Sequence, residues 1–484
     1  MLSSQLPNPQ EVFSFFYAIC EIPRGSGNEE GISAYLCEFA KTHGLEFRTD
    51  ALHNVLIRKP ATPDCAGEAP VLLQGHMDMV CQKADGVEHD FRKDPIQPEI
   101  RDGWLRAKGT TLGADNGIAV AMMLAVLADE TISHPDLECL FTVQEETGLI
   151  GAAGFDYSDL RAKVLFNLDS EDEGVGTVGC AGGMRVDLSL SGERTPAGGA
   201  LADLTVVGFR GGHSGSDIHL GRADAHRVAG AVADEMTRLF GARIVSVSGG
   251  TLDNAIPSSC RITLIIPASR AEEAAVGVKA LLREAEEANP DEKNAGARFD
   301  CSFREGEEQA FSLDDSLRIT GLIRDLPGGV LQWSKDLEGC VETSCNVGIV
   351  RTDGNLVSFG ALARYSTEDG RQLALGRIDE QAGKYRASYT IRSSYPGWAY
   401  DPSSLAEKRY CSVYRSITGE DPKIEVIHAG LECGVIRNAV PGLSAISIGP
   451  NMRGVHTPDE GLDLASAERT FELLKRLLSY RDPT

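Results

Sequence analysis

The strongest constraint on the fold is a set of short apolar runs that end in Gly or in polar residues. Residues 71–74 (VLLQ), 137–143 (LECLFTV) and 164–168 (VLFNL) are too short for stable helices and are apolar on both alternating faces. Such runs read as strands covered on both sides. Between the first two lies the stretch 117–128 (GIAVAMMLAVLA), apolar along its whole length, which reads as a buried helix. At about 12 residues it falls well short of the roughly 20 that a membrane span requires. Upstream, residues 11–20 and 29–43 carry helical periodicity and 54–57 is strand-like. Buried strands alternating with helices predict an α/β, three-layer αβα unit, in which ligands gather at the carboxyl ends of the strands.

The pattern changes after Gly182-Gly183. Amphipathic helical segments at 222–240, 271–287, 314–324 and 370–384 alternate with polar-faced strand candidates at 204–209, 261–266 and 387–392. That pattern suits an α+β domain with a half-solvated antiparallel sheet. Short apolar strands then return at 425–427 and 445–448, followed by an amphipathic helix around 465–478. The expected organisation is one domain inserted into another. Residues 1–183 and 396–484 form the discontinuous α/β domain and 184–395 the insertion, with the Gly-rich run 179–183 and Pro396-Gly397 as boundaries.

Charge narrows the function. The chain has 47 Lys and Arg against 71 Asp and Glu, a formal charge of −24, which excludes a basic nucleic-acid footprint and disfavours an anionic bilayer. Twelve Cys without a CxxC pair indicate reduced core residues of a cytoplasmic protein. Cys81 reads either as one more small apolar residue or as a reactive thiol. The first 20 residues have no basic n-region and no long apolar h-region, so no secretory signal is expected there.

Five segments place a potential metal ligand just after an apolar run: Gln74-Gly75-His76-Met77-Asp78, Thr111 to Gly117 (TLGADNG), Gln144-Glu145-Glu146-Thr147-Gly148, Asn167-Leu168-Asp169-Ser170 and Val455-His456-Thr457-Pro458-Asp459-Glu460. Taken singly, each has an ordinary explanation. His76 and Asp78 read as a solvated turn, Glu145-Glu146 as an acidic step before a Gly turn, and Asp115-Asn116-Gly117 as a helix entry. Their joint occurrence points to a hydrolytic metal site, because divalent transition metals take imidazole and carboxylate ligands and a two-ion site needs a bridging carboxylate. On an extended segment successive side chains diverge, so Glu145 and Glu146 are expected to take different roles unless the backbone bends there.

The ordered set GHMD, LGADNG, EETGLIGA, NLDSE, GGHSG, HAGLECG and VHTPDE resembles the M20 metallopeptidase family, in its aminoacyl-histidine dipeptidase branch. The likeness runs from Ile22-Pro23-Arg24 to the terminal helix, and the HAGLECG and GGTLDNAIP segments favour that branch. It implies a zinc-peptidase-like catalytic domain with an inserted lid and dimerisation domain, two Zn2+ per subunit, and a homodimer. By motif, His76 and Asp169 would bind one ion, Asp115 would bridge, and Glu146 and His456 would hold the other. Mn2+ or Co2+ suits the same donors. Asp78 matches the acid that orients His76, and Glu145 matches the general base. The family likeness also implies a cis peptide after Asp115.

On the substrate side, His213 in GGHSG reads either as part of a helix entry or, by resemblance, as an oxyanion or carboxylate ligand presented by the lid of a neighbouring subunit. His219 is a second choice. Asn254 and Arg364 are candidate carboxylate contacts, and His428 reads as structural or functional alike. Glu432 is a candidate for an unpaired carboxylate that binds the α-amino group of a dipeptide. The activity implied is hydrolysis of Xaa-His and related dipeptides, including β-alanyl-histidine. The alternatives are a tripeptidase, an aminopeptidase or an N-acyl amino acid amidohydrolase of the same fold, a non-catalytic peptide binder, or a metal-stabilised structural protein.

Overall fold

The computed structural model describes residues 6–481. The chain forms two compact units. The first takes the chain up to Cys180, Trp398–Val426 and everything from Leu431 onward, and the second takes Ala181–Gly397 with Ile427–Gly430. These bounds differ from the expected 1–183, 184–395 and 396–484. Hydrogen bonding explains the difference. Gly182 and Gly183 pair with Tyr365 and Arg364 in the second unit's sheet, and the Ala181 amide donates to the carbonyls of Ile427 and Ala429 at 3.1 and 3.0 Å.

In the first unit an eight-stranded sheet runs in the order Glu46–Thr49, Val55–Lys59, Leu137–Thr142, Val71–His76, Val164–Asn167, Ser444–Ser447, Val175–Cys180, Lys423–Ile427. Its centre is parallel. Val71–His76 pairs in parallel with Leu137–Thr142 on one side and Val164–Asn167 on the other, and every residue of these three strands is buried. Full burial is why their sequences lack polar alternation. The helix Ala114–Ala128 packs on Val71–His76 and is buried from Asn116 to Leu127, which is why it has no polar face. Parallel pairing brings the carboxyl ends of the three strands to one edge, and the loops with the candidate ligands emerge there.

The second unit is built on an antiparallel sheet of nine strands, ordered Arg298–Phe311, Arg194–Val207, Ser259–Pro267, Arg243–Gly249, Val341–Asp353, Leu356–Tyr365, Gly182–Ser191, Ser388–Tyr395, with Gly329–Trp333 also on Val341–Asp353. Alternation along the strands sends Val186, Leu188, Leu204, Val206, Ile262 and Leu264 into one core. Met236, Phe240, Ile319, Leu322 and Ile378 fill that core from the helices Ala225–Phe240, Leu313–Asp325 and Glu368–Tyr385. Among the described residues no helix is long and apolar enough to cross a membrane.

One glycine decides how closely the central helix approaches the central strand. A Cβ on Gly75 would lie 2.7 Å from the Ala119 Cβ and closer still to Asn116 Oδ1. Neither neighbour can yield, since Ala119 sits inside the helix and Asn116 donates to the Leu168 carbonyl at 2.9 Å. Gly75→Ala is therefore expected to cost about 1–3 kcal/mol by overpacking, read as a lower urea midpoint of the metal-free protein. An unchanged midpoint would contradict this packing.

Candidate metal centre

His76 ends its strand, Glu145 and Glu146 follow the strand Leu137–Thr142, and Asp169 follows Val164–Asn167, so three adjacent parallel strands deliver their side chains to one edge. Asp115 comes from the opening of the helix Ala114–Ala128, and His456 from the loop before Gly461–Asp463. The Asp115-Asn116 peptide is cis, as the motif implies. All these residues belong to the first unit.

Asp115 is the centre of the group. Its Oδ1 lies 3.0 Å from His76 Nε2 and its Oδ2 lies 3.1 Å from His456 Nε2, so each carboxylate oxygen faces a different imidazole. Asp169 Oδ1 is 3.4 Å from His76 Nε2, and Glu146 Oε1 is 3.0 Å from His456 Nε2. Donor atoms of His76, Asp115 and Glu146 all lie within 4.8 Å of one another. The arrangement sorts into two sets that share Asp115: His76 with Asp169, and His456 with Glu146.

Electrostatics describe a site short of positive charge. Burial works against the His76 imidazolium, but Asp169, Asp115 and Asp78 outweigh it and hold its pKa well above the usual value. His456 is pushed up to about 11 by its bonds to Asp115 and Glu146. Burial favours the neutral form of Asp115 too, yet the two imidazoles hold its pKa below the usual carboxylate range. Asp169 rises to about 6 through burial, with Asp115 and Glu146 adding repulsion. Glu145 is raised well above the carboxylate norm by burial, reinforced by Asp169, Glu432 and Glu146, and partly offset by His76. Two imidazoles among four converging carboxylates fit divalent cations in donor type, in number and in charge.

Asp78 does more than steer one imidazole. Its Oδ1 lies 3.3 Å from His76 Nδ1 and accepts the Glu145 amide at 3.1 Å, while Oδ2 accepts the Ser26 hydroxyl at 2.7 Å and the Glu146 amide at 3.4 Å. These partners hold its pKa down despite burial. The glutamate pair therefore hangs on the same carboxylate that orients His76. Separation of Glu145 from Glu146 does not come from strand alternation. Gln144 has φ 51°, and the Glu145 carbonyl accepts the amides of Gly148 and Leu149, so the pair sits in a turn. The side chain of Glu145 makes no hydrogen bond or ion pair among the described residues.

Glu432 is not unpaired. It opens the helix Glu432–Ala439, fully buried, with Oε2 accepting from Gln74 Nε2 and from the Thr142 hydroxyl at 2.7 Å. Only Oε1 lacks a partner. Burial lifts its pKa to about 7. Sequence reasoning missed Gln74 and Thr142 in this role, and it missed Arg24 and Glu460 altogether. Arg24 is 2% exposed and donates to the carbonyls of Gly113, Met77 and Asp78 at 2.6, 3.1 and 3.2 Å. Glu460 accepts backbone amides at the Asp115 loop. Position within VHTPDE was the available signal for Glu460. Arg24 stood in the sequence only as the start of the motif likeness, with no role given to it.

The second unit holds the remaining candidates. His213 Nδ1 accepts the amides of Gly215 and Ser216 at 3.3 and 3.1 Å, which puts the ring proton on Nε2. That Nε2 lies 3.4 Å from Arg364 Nη2, so two donors point at the same space. Arg364 is 5% exposed and its Nε has no partner. Burial and the Arg364 charge push the His213 pKa down. His428 Nε2 pairs with the Ser344 hydroxyl at 2.7 Å, and burial takes its pKa down to about 3. The Asn254 carbonyl accepts the Ser214 amide at 2.8 Å and so braces the His213 turn, whereas His219 is exposed on Ile218–Leu220 without a partner among the described residues.

A model of peptidase family M20/M25/M40 matches residues 72–480. The chain is 38% identical to the cytosol non-specific dipeptidase of Escherichia coli K12 over 98% of both chains. Its structure superposes on the aminoacylhistidine dipeptidase of Vibrio alginolyticus with a TM-score of 0.89, 36% identity and 99% of both chains covered. A Staphylococcus aureus tripeptidase shares the fold at TM-score 0.57 and 16% identity, covering 98% of both chains. The chain belongs to peptidase family M20/M25/M40, and it is a hydrolase.

Asp78→Asn would present an amide NH2 to groups that already donate. Expected is a loss of about 10–100-fold in metal affinity, measured by chelator competition. Unchanged affinity would show that Asp78 does not support the centre.

Proposed function

We propose that the protein is a dizinc dipeptidase that cleaves Xaa-His and related dipeptides, β-alanyl-histidine included, in the cytoplasm. The observation that carries this reading is the Asp115 carboxylate with one oxygen on each imidazole, beside an unpartnered Glu145. Similarity to a cytosol non-specific dipeptidase and to an aminoacylhistidine dipeptidase supports the substrate class and the compartment. The first unit is the catalytic domain, and the second is the lid through which a homodimer forms.

His76, Asp169 and Asp115 Oδ1 would hold one ion, and His456, Glu146 and Asp115 Oδ2 the other. Divalent ions held by these residues would supply Lewis acidity, activating a water and polarising the scissile carbonyl. Zinc suits the donor set, and Mn2+ or Co2+ would be accepted by it. Asp78, accepting a hydrogen bond from His76 Nδ1–H, keeps the proton on Nδ1 and leaves the Nε2 lone pair free to ligate. Glu145 takes the proton of the attacking water as the C–O bond forms, and returns it to the amide nitrogen as the C–N bond breaks. No hydrogen bond of Glu145 has to be broken for this.

His213 and Arg364 bind an anion. Arg364 is a buried guanidinium whose Nε has no partner, which is costly, and a substrate carboxylate would offset that cost while also accepting from His213 Nε2. In the dimer the lid would present this pair to a neighbouring catalytic domain, with Asn254 bracing the turn and His219 a lesser contact. Glu432, fully buried and held by Gln74 and Thr142, does not offer the free carboxylate expected for the substrate's ammonium group.

Comparison of Ala-His, a tripeptide and an N-acetyl amino acid as substrates tests the assignment. The dipeptide should be the preferred substrate, and preference for the acetylated compound would make the protein an amidohydrolase instead. Glu145→Gln should retain both ions by elemental analysis while kcat falls by about 10²–10⁴. Near-full turnover in that variant would refute the proton-transfer role. Arg364→Met is expected to raise KM about 10-fold or more for Ala-His, the loss of a charged hydrogen bond, and to leave the KM for Ala-His amide much less affected. Equal effects on both substrates would remove Arg364 from the carboxylate site.

A further inference from the structure

Glu460 lies on the same loop as His456 and has no part in the scheme above. We propose that Glu460 is a positioning residue: its carboxylate clamps the backbone of residues 112–115 and so sets the place of Asp115 relative to His456 before any metal binds. This rests on the two-metal reading of the site.

The contacts are unusually complete for one side chain. Oε2 accepts the amides of Leu112 and Gly113 at 2.7 and 3.0 Å, and Oε1 accepts those of Ala114 and Asp115 at 2.7 and 3.3 Å. The residue is only 2% exposed. A buried carboxylate is tolerable only where strong donors surround it, and four converging N–H groups at the start of a helix supply them. A helix is usually capped by the residue just before it. Here that residue is Gly113, at φ 69°, which has no side chain to offer. The cap comes instead from a residue 345 positions from Asp115 and four after His456.

The carbonyl side of the same segment is fixed by Arg24. Its Nη2 donates to the Gly113 carbonyl and its Nη1 to Met77 and Asp78, at the end of the His76 strand. A Cβ on Gly113 would fall 2.5 Å from Arg24 Nη2 and 2.7 Å from the Met79 sulfur, so the backbone itself occupies the space between them. The peptide units that lead into Asp115 are thus held on both edges. Glu460 couples them to the His456 loop, and Arg24 couples them to the His76 strand. Ligand loops ordered before binding are what makes a metal site tight.

The carboxylate's symmetry makes the idea testable. In Glu460→Gln one acceptor oxygen remains, and the amide NH2 would face backbone N–H groups. The parent chain is expected to bind two zinc ions. The variant should keep one of them and hold the other about 10–100-fold more weakly in chelator competition, since the set built on His456 loses its spacing to Asp115. Two ions held as tightly as in the parent chain would overturn the proposal. Hydrogen exchange on the metal-free parent chain gives a second reading that needs no variant. The amides of residues 112–115 should exchange slowly before metal is added, and fast exchange there would overturn the clamp even if the variant failed to fold. Should the parent bind fewer than two ions, the two-metal reading falls, while slow or fast exchange still decides for or against the clamp.

Discussion

One carboxylate between two imidazoles sets the terms for the rest of the first unit. Asp115 can face His76 and His456 at once only if the helix that begins beside it lies hard against the central strand and if the loop carrying His456 returns to that helix end. Gly75 permits the first, because any side chain there would collide with Asn116 and Ala119. Glu460 secures the second. The parallel strands then add Asp169 on one side and the glutamate turn on the other, and their full burial keeps the platform rigid.

Much of this was legible in the sequence, and the reason is physical. The runs at residues 71–74, 137–143 and 164–168 have no polar alternation because both of their faces are covered, and the stretch 117–128 has no polar face because it is packed all round. Periodicity located the four long helices of the inserted unit for the opposite reason: each has one wet face. The candidate ligands His76, Glu146 and Asp169 were legible because their motifs follow buried strands, and Asp115 because its motif opens the buried helix. Contacts that depend on distant segments meeting were not. A Glu before a Gly, as at Glu460, looks like a turn residue until the amides of residues 112–115 are placed around it. The turn at Gln144 likewise overrides the alternation expected of an extended segment. The return of Ile427–Gly430 to the second unit has no signature in composition at all.

The overall charge of −24 is mostly unrelated to catalysis. Asp78, Asp115, Glu145, Glu146 and Asp169 are five of the 71 acids, and two divalent ions would offset four of those charges. A few others, such as Glu138, Glu432 and Glu460, are buried, and most of the rest lie at the surface, where net charge favours solubility. A zwitterionic dipeptide is not repelled by such a surface. Within the site burial, with repulsion from Asp115 and Glu146 added, raises Asp169, and bonds to Asp115 and Glu146 raise His456, so the cluster favours a bound positive charge.

The most direct test of the two-metal account is a crystal structure of the zinc-loaded protein with anomalous data at the zinc edge. Two peaks about 3.5–4 Å apart are predicted, with Asp115 reaching both, His76 and Asp169 on one, and His456 and Glu146 on the other. A single peak, or two peaks that Asp115 does not bridge, would contradict it.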